Sequence, residues 1–321
     1  MSSRYPFPAV PDGWFGVCAS EAVPAGAVTT LQYLGRELVA FRGDDGAARV
    51  FDAHCPHLGA HLGFGGRVCG DGISCPFHGW RFDGDGRLAE VPRLGRRPPR
   101  VQAHAWEVRE RDGRVFVWHH AGGAGPAYDV PSYRRDGASW TPWRIDTYRV
   151  RIGLQDLTEN IIDRAHFYTV HDMVPPDDDH FAVTFDGPSM VVDQSVKVTA
   201  VTDSGFEVRT RTTAWGPGIV AVEVREGALD MLTFITQTPV DDEITEITIH
   251  FSMKALGDDQ ATASVAELNA KVTNLQFTQD IPIWEHKVYR QRPVLTKVDG
   301  PIAQYRRWFR QFYSGWEPPG D

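Results

Sequence analysis

Two short loops constrain this chain more than anything else in it. "HCPHLGAHLG" (54–63) and "SCPFHGW" (74–80) each place a proline directly after a cysteine and a histidine two or three positions after that cysteine. Seventeen residues separate His57 from Cys75. Two thiolates and two imidazoles can hold one zinc ion tetrahedrally. They can also divide over a two-iron cluster, with cysteines on one iron and histidines on the other. Zinc fingers usually group their cysteines together and their histidines together, whereas here Cys55-x-His57 and Cys75-x-x-His78 carry one of each. A lone Cys-x-His says little; two similar loops among strands say much. His54 and His61 read as packing or solvent-facing residues, and Cys18 and Cys69 as apolar thiols without partner spacing.

The surroundings are strand-like. "LVAFRG", "RVFDAH" and "RVFVWHH" are short β-prone runs, and "DGDGR" and "RDGR" suit hairpin turns. No long amphipathic helix appears before residue 120, and "AGGAGPAYDVP" (121–131) reads as a linker. A length of 321 residues predicts two domains, 1–122 and 123–321. The second mixes strands with helices, which makes the whole an α+β chain. In "EITIHFSM" Ile247, Ile249 and Phe251 fall on one face, and Glu246, Thr248 and His250 on the other. "GIVAVEV" and "MLTFITQ" are apolar strands able to line a pocket or form core. A helix is expected over 264–279, with Ser264 and Glu267 as a capping box. A second helix opens at Pro301, with Ile302, Tyr305, Phe309 and Phe312 as its apolar stripe.

The bulk numbers exclude several classes. A net charge of -9 argues against nucleic acid as the main partner. No basic start followed by an apolar stretch suggests a signal peptide, and no apolar run is long enough to span a membrane. Four cysteines in so long a chain do not make a disulfide scaffold and fit a reducing cytoplasm.

A second constellation lies in "ENIIDRAHFYTVH" (159–171). Asn160, Asp163 and His166 are each three apart, so one helical face presents all three. His166 and His171 are five apart, roughly 140° around an ideal helix. Both reach one metal only if the helix ends or bulges between them. Taken alone, two histidines at this spacing are more often incidental than ligands. A carboxylate for such a site is offered by "QFTQDIPIWEHKVY" (276–289), which holds Asp280 and Glu285. Asp280 is expected just past the helix end and before Pro282, where it could instead be the N-cap of a following helix. Glu285 reads as a solvated residue on that following helix.

The two constellations together resemble known proteins. The stretch 10–120 looks like the Rieske iron-sulfur domain. The Asn160, Asp163, His166 and His171 spacing is similar to the motif of Rieske non-heme iron oxygenases. "CPFHGWRFDGDGR", "VFVWHH", "QDIPIWEHKVY" and "DGPIAQYRRWFRQFY" look like the branch that includes bacterial 3-ketosteroid 9α-hydroxylases and animal cholesterol 7-desaturases. The resemblance implies an all-β Rieske domain followed by a helix-grip domain around a hydrophobic pocket. It implies a [2Fe-2S] cluster on Cys55, His57, Cys75 and His78, and a mononuclear Fe(II) on His166, His171 and Asp280 with positions open for O2. Electrons would enter at the cluster, pass to Fe(II), and serve hydroxylation or desaturation of an unactivated C–H bond. Asp163 would carry electrons between the sites by contacting His166 and, in a ring-shaped homotrimer, a Rieske histidine of the neighbouring subunit. The substrate implied is a hydrophobic, multi-ring molecule of roughly sterol size, although 174–255 matches no substrate motif.

Other classes remain in view at this stage. A Rieske-type electron carrier needs only the first hundred residues, and a hydrophobic-ligand binding protein needs none of His166, His171 and Asp280. Within the oxygenases, an aromatic-ring dioxygenase or an O- or N-demethylase is the alternative. No Gly-x-Gly-x-x-Gly follows a strand and opens a helix, so a separate ferredoxin or flavin-dependent reductase is expected. "GFGG" (63–66) reads as a turn. "RLGRRPPR" (93–100) is either a solvated, proline-stiffened connection or a seat for an acidic ferredoxin.

Overall fold

The computed structural model describes residues 4–133, 139–174, 178–198 and 206–317. The chain divides into one unit of 14–132 with 240–242, and a second of 1–13, 133–239 and 243–321. The boundary thus falls near residue 132, and the N-terminal segment packs with the second unit.

The first unit is built from ten short strands: β1 (Gly13–Ala19), β2 (Val28–Tyr33), β3 (Arg36–Arg42), β4 (Ala48–Asp52), β5 (Arg67–Cys69), β6 (Gly72–Ser74), β7 (Arg81–Phe82), β8 (Leu88–Glu90), β9 (Val108–Arg111) and β10 (Arg114–His119). They form sheets ordered β1-β10-β9, β2-β3-β4 and β5-β6-β7-β8. The β9–β10 hairpin turns through Asp112 and Gly113, with φ of 50° and 77°. Two successive positive φ values match the right-handed twist of the strands, which is why Asp-Gly serves here. Val39, Phe41, Phe51, Leu62, Ile73 and Phe82 form the core beneath the two cysteine loops.

The second unit holds one seven-stranded antiparallel sheet, ordered β11-β17-β16-β15-β14-β13-β12. Its strands are β11 (Arg144–Val150), β12 (Phe181–Asp186), β13 (Ser189–Val198), β14 (Phe206–Trp215), β15 (Ile219–Glu226), β16 (Leu229–Pro239) and β17 (Thr245–Met253). Among the described residues four α-helices accompany it: α1 (Leu154–Glu159), α2 (Ala165–His171), α3 (Asp259–His286) and α4 (Ile302–Phe309). β17 is buried on both faces along 247–251. Thr248 and His250 are as buried as Ile247 and Ile249. Tyr133 packs on Phe234 and Trp143 on His250, so polar side chains on that face sit under cover.

The expected helix 264–279 is part of a longer one. α3 runs 28 residues, and Asp258 caps it by accepting a 2.7 Å hydrogen bond from the Ala261 N–H. Ser264 and Glu267 therefore lie inside the helix, and Glu267 pairs with Arg144 at 2.6 Å. Pro282 does not end the helix. A proline inside a helix costs about 3 kcal/mol, so tertiary packing must offset it. The far end is gripped by Arg4, whose guanidinium donates to the carbonyls of Trp284 and Lys287 and, at 2.7 Å, of Arg151. Terminal helix carbonyls lack intrahelical donors, and a cation there supplies them. Tyr5 and Phe7 stack behind it, and Trp284 is buried. On α4, Ile302, Tyr305 and Phe309 form the buried stripe, continued by Phe312. Tyr305 donates to the Gln155 carbonyl at 2.7 Å, and Arg306 clasps Glu159 at 2.6 and 2.8 Å. α4 thereby fixes α1, which leads into the site.

Candidate metal centres

The two cysteine loops share one backbone design. The Cys55 N–H donates to Ala60 O and the Gly59 N–H to Cys55 O, both at 2.9 Å. In the second loop the Cys75 N–H donates to Trp80 O at 2.8 Å and the Gly79 N–H to Cys75 O at 3.0 Å. Gly59 and Gly79 close these turns at φ of 74° and 67°, a conformation glycine takes without strain. A glycine four residues after each cysteine is thus a second signal that the sequence carries. The chemistry is graded by depth: Cys55 and Cys75 are buried, His57 is half-buried and His78 exposed. The two histidine rings sit edge to face at 4.8 Å, and His57 stacks on Trp80 at 4.1 Å. Burial, joined by neighbouring Cys75, pushes the Cys55 thiol up to about 11. Two adjacent buried thiols with two imidazoles at the surface form a donor set that fits a two-iron cluster, whose binding releases their protons. His54 and His61 pair with each other across an isolated bridge, with His54 also reaching Glu37. Cys18 and Cys69 are half-buried free thiols.

The second site forms where α1, α2 and α3 meet. Asn160, Asp163 and His166 do not share one helix face as expected: α1 ends at Glu159 and α2 starts at Ala165. Asp163 accounts for part of the break, because its Oδ1 accepts from the Ala165 N–H at 3.0 Å. A short carboxylate that binds the backbone competes with helix continuation. Both histidines then lie on α2. The helix does not break between them but widens at its end. The Asp172 and Met173 N–H groups both reach back to Phe167 O, and Asp172 turns to φ 53°. The rings of His166 and His171 come to 5.0 Å.

Ligating atoms of His166, His171 and Asp280 all lie within 4.8 Å of one another. His171 Nε2 is 3.4 Å from Asp280 Oδ2. Asn160 sits between, its amide 3.3 Å from His166 Nε2 and donating to Asp280 Oδ2 at 3.2 Å. Asp280 lies inside α3, not past its end, and is 6% exposed. Its one ion-pair partner among the described residues is His171. A buried carboxylate facing two imidazoles without a lysine or arginine is a donor set that fits a divalent cation. Burial lowers the His166 pKa, with Asp163 and Asp280 opposing it. Burial also lowers that of His171, but hydrogen bonds to Asp280 and Gln279 outweigh it and leave the net shift upward. Asp163 Oδ2 stands 3.8 Å from His166 Nδ1, beyond hydrogen-bond range, and burial raises its pKa. Glu285 lies elsewhere, near Arg151. Gln279, whose Oε1 meets His171 Nδ1 at 3.0 Å, is a participant that the sequence did not flag.

A cavity of about 470 Å³ opens onto this site. Its floor alternates along the strands: Val220, Val222 and Val224 on β15, then Met231, Thr233 and Ile235 on β16. Its roof is α3, through Val265, Leu268, Val272 and Phe277.

Comparison with known proteins decides the family. A model described as the Rieske [2Fe-2S] domain matches residues 13–120, and one described as the 3-ketosteroid 9alpha-hydroxylase C-terminal domain matches 117–313. The chain belongs to the Rieske oxygenases. Such an oxygenase is an oxidoreductase with a [2Fe-2S] cluster and a mononuclear iron, and it uses O2. A "3-ketosteroid-9-alpha-monooxygenase, oxygenase component" of Rhodococcus rhodochrous is 30% identical over 318 residues, covering 94% of this chain and 80% of that protein. The cholesterol 7-desaturase of Caenorhabditis elegans is 31% identical over 343 residues, covering 96% and 78%. In fold, this Rieske oxygenase is similar to Pseudomonas putida CBB5 NdmA with caffeine, at a TM-score of 0.75, 21% identity and coverage of 92% and 89%. It is also similar to dicamba monooxygenase bound to dicamba, at 0.70, 17%, 94% and 97%. Both likenesses bear out the α+β architecture of a Rieske domain followed by an antiparallel sheet with helices.

Proposed function

We propose that this Rieske oxygenase hydroxylates or desaturates an elongated, hydrophobic, steroid-like molecule. Cys55 and Cys75 hold one iron of the cluster and His57 and His78 the other, while His166, His171 and Asp280 hold the mononuclear iron. The observation that carries this reading is the apolar cavity opening directly onto the convergent His166, His171 and Asp280. The names of the steroid monooxygenase and sterol desaturase relatives support the same substrate class.

When bound, the two metals supply electron storage and O2 chemistry. The chain's own groups do the rest. Two neutral imidazoles and one carboxylate leave a metal a net positive charge and open positions. Gln279 accepts from His171 Nδ1–H and so turns the Nε2 lone pair inward. Asn160 donates to Asp280 Oδ2 and restrains that carboxylate. Valine, leucine and methionine side chains exclude water and orient the substrate by shape. Asp163 is a positioning residue beside His166 and lies on the electron path to that ligand. In a homotrimer its carboxylate would bridge His166 and His78 of the partner subunit by hydrogen bonds, without itself changing oxidation state. Electrons reach the cluster from a separate ferredoxin or flavin-dependent reductase, and the enzyme works in the cytoplasm. No helix among the described residues is long and apolar enough to cross a membrane.

The test uses the full chain with a ferredoxin and reductase pair supplied. Steroids and polycyclic compounds should perturb the spectrum of the iron sites, and one of them should be converted with matching O2 uptake. Tight binding of a small polar acid, with every polycycle failing, would overturn the substrate reading. Asp163→Ala should keep cluster and mononuclear iron yet lose turnover. Wild-type rates in that variant, or full activity in a proven monomer, would overturn the bridge.

A further inference from the structure

The lining of the cavity changes character at its far end. Met231, Val224, Thr210 and Gln194 are register partners on four neighbouring strands, β16 to β13, and all four face the cavity. Gln237 marks the other end, where it accepts from Thr158 at 3.1 Å, two residues before Asn160. Gln237 lies six positions after Met231 on β16, which is roughly 20 Å along the strand at the rise of an antiparallel strand. On the roof, Asn269 lies eleven residues before Asp280, roughly 16 Å along a helix.

This far end carries polar atoms with nothing to bind. Gln194 Oε1, Thr210 Oγ1 and Asn269 Nδ2 are each buried without a hydrogen-bond partner. Gln194 and Thr210 are direct cross-strand neighbours. Buried polar groups are almost always paired, and an unpaired one costs stability until something satisfies it. Three such atoms line one cavity, and two are adjacent.

We infer that Gln194 and Thr210 form a subsite that reads a neutral hydroxyl at the end of the substrate remote from the oxidised carbon. The inference rests on the cavity being the substrate site and specifies what that substrate carries. A hydroxyl has one proton to donate and two lone pairs to accept with. It donates to Gln194 Oε1 and accepts from Thr210 Oγ1–H. A ketone accepts only and leaves Gln194 Oε1 opposite another oxygen. A carboxylate adds charge repulsion at the same atom. The ligand class is therefore a long apolar body with a terminal alcohol at the end away from the metal site.

The experiment compares matched pairs by quenching of tryptophan fluorescence, since Trp284 lines the cavity. The pairs are 5α-cholestan-3β-ol against 5α-cholestan-3-one, and hexadecan-1-ol against hexadecane. The wild-type holoprotein should bind the alcohol of each pair about tenfold more tightly, a typical effect of one unmet buried group. Gln194→Leu, Gln194→Met and Thr210→Val should each shrink that preference, with cluster absorbance and affinity for the non-alcohol member unchanged. Equal affinities within both pairs in the wild type, or a preference that survives all three substitutions, would overturn the subsite. A preference confined to hexadecan-1-ol, with neither sterane binding, would keep the subsite and remove the polycyclic reading instead.

Discussion

Gln279 and His171 are joined by a 3.0 Å hydrogen bond between Oε1 and Nδ1, and the opposite ring nitrogen of His171 faces Asp280 Oδ2 at 3.4 Å. Consecutive residues of α3 thus hold both sides of one imidazole. Orienting groups of this kind are worth 10- to 100-fold in metal affinity. Gln279→Leu should therefore weaken mononuclear iron binding by roughly that factor without touching the [2Fe-2S] cluster. Iron and acid-labile sulfide, measured together after dialysis against a chelator, separate the two pools. Unchanged total iron would mean that His171 needs no such support.

Asp280 and Glu285 share α3, yet only Asp280 joins the two imidazoles. Five residues of helix turn a side chain through roughly 140°, which sends Glu285 away toward Arg151. Asp280→Ala should lose the mononuclear iron, keep the cluster and abolish turnover. Glu285→Ala should keep both metals and near-normal rates. The reverse pattern in metal analysis would reassign the carboxylate.

The two cysteine loops were legible as a pair because their pattern is local: each Cys-Pro start, its histidine and its closing glycine fall within a few residues. The histidine pair and Asp280 were legible as residue types but not as geometry. Pro282 and the capping box at Ser264 pointed to a helix ending near 279, yet α3 continues to His286. Long-range contacts decided that: Arg4, some 280 residues away, binds the carbonyls at the helix end. The break before α2 was hidden for the opposite reason. Asp163 has helical spacing to its neighbours, but its carboxylate satisfies the Ala165 N–H and stops the preceding turn. On β17, period-two patterning separated the apolar face from the polar one, but it could not show that Tyr133 and Trp143 cover the polar face from other segments.

Asp156 on α1 is 1% exposed, and neither carboxylate oxygen has a hydrogen-bond partner. Its nearest cation is Lys287 Nζ at 3.7 Å. Desolvation is the largest influence and raises its pKa, with Lys287 opposing. The folded form therefore holds this proton more tightly than the unfolded chain does. Its contribution to stability is complete below the unfolded value, about 3.9, and is lost as pH rises through the higher folded value. Asp156→Asn should thus melt higher than wild type at pH 7, and the gap should close as pH falls toward 4. Thermal melts from pH 4 to 8 read this directly. A variant that melts lower at pH 7 would show that Lys287 more than compensates the buried charge.

Gly59 and Gly79 close equivalent loops, but their surroundings differ. Both have positive φ, so alanine at either costs about 1–2 kcal/mol in backbone strain. A Cβ on Gly59 would meet nothing within 4 Å, whereas one on Gly79 would come within 3.0 Å of Pro92 Cγ. Pro92 is a rigid ring in the connection after β8, so it yields less readily than the end of a long side chain. Gly79 also donates to Cys75 O and precedes Trp80, on which His57 stacks. Strain there is passed to ligands of both loops. Gly59→Ala should keep most of the cluster absorbance with a modest loss of thermal stability. Gly79→Ala should lose cluster during purification and shift the EPR signal of what remains. Equal cluster occupancy in the two variants would mean that the Pro92 contact is relieved at no cost and that backbone strain alone sets the tolerance of these loops.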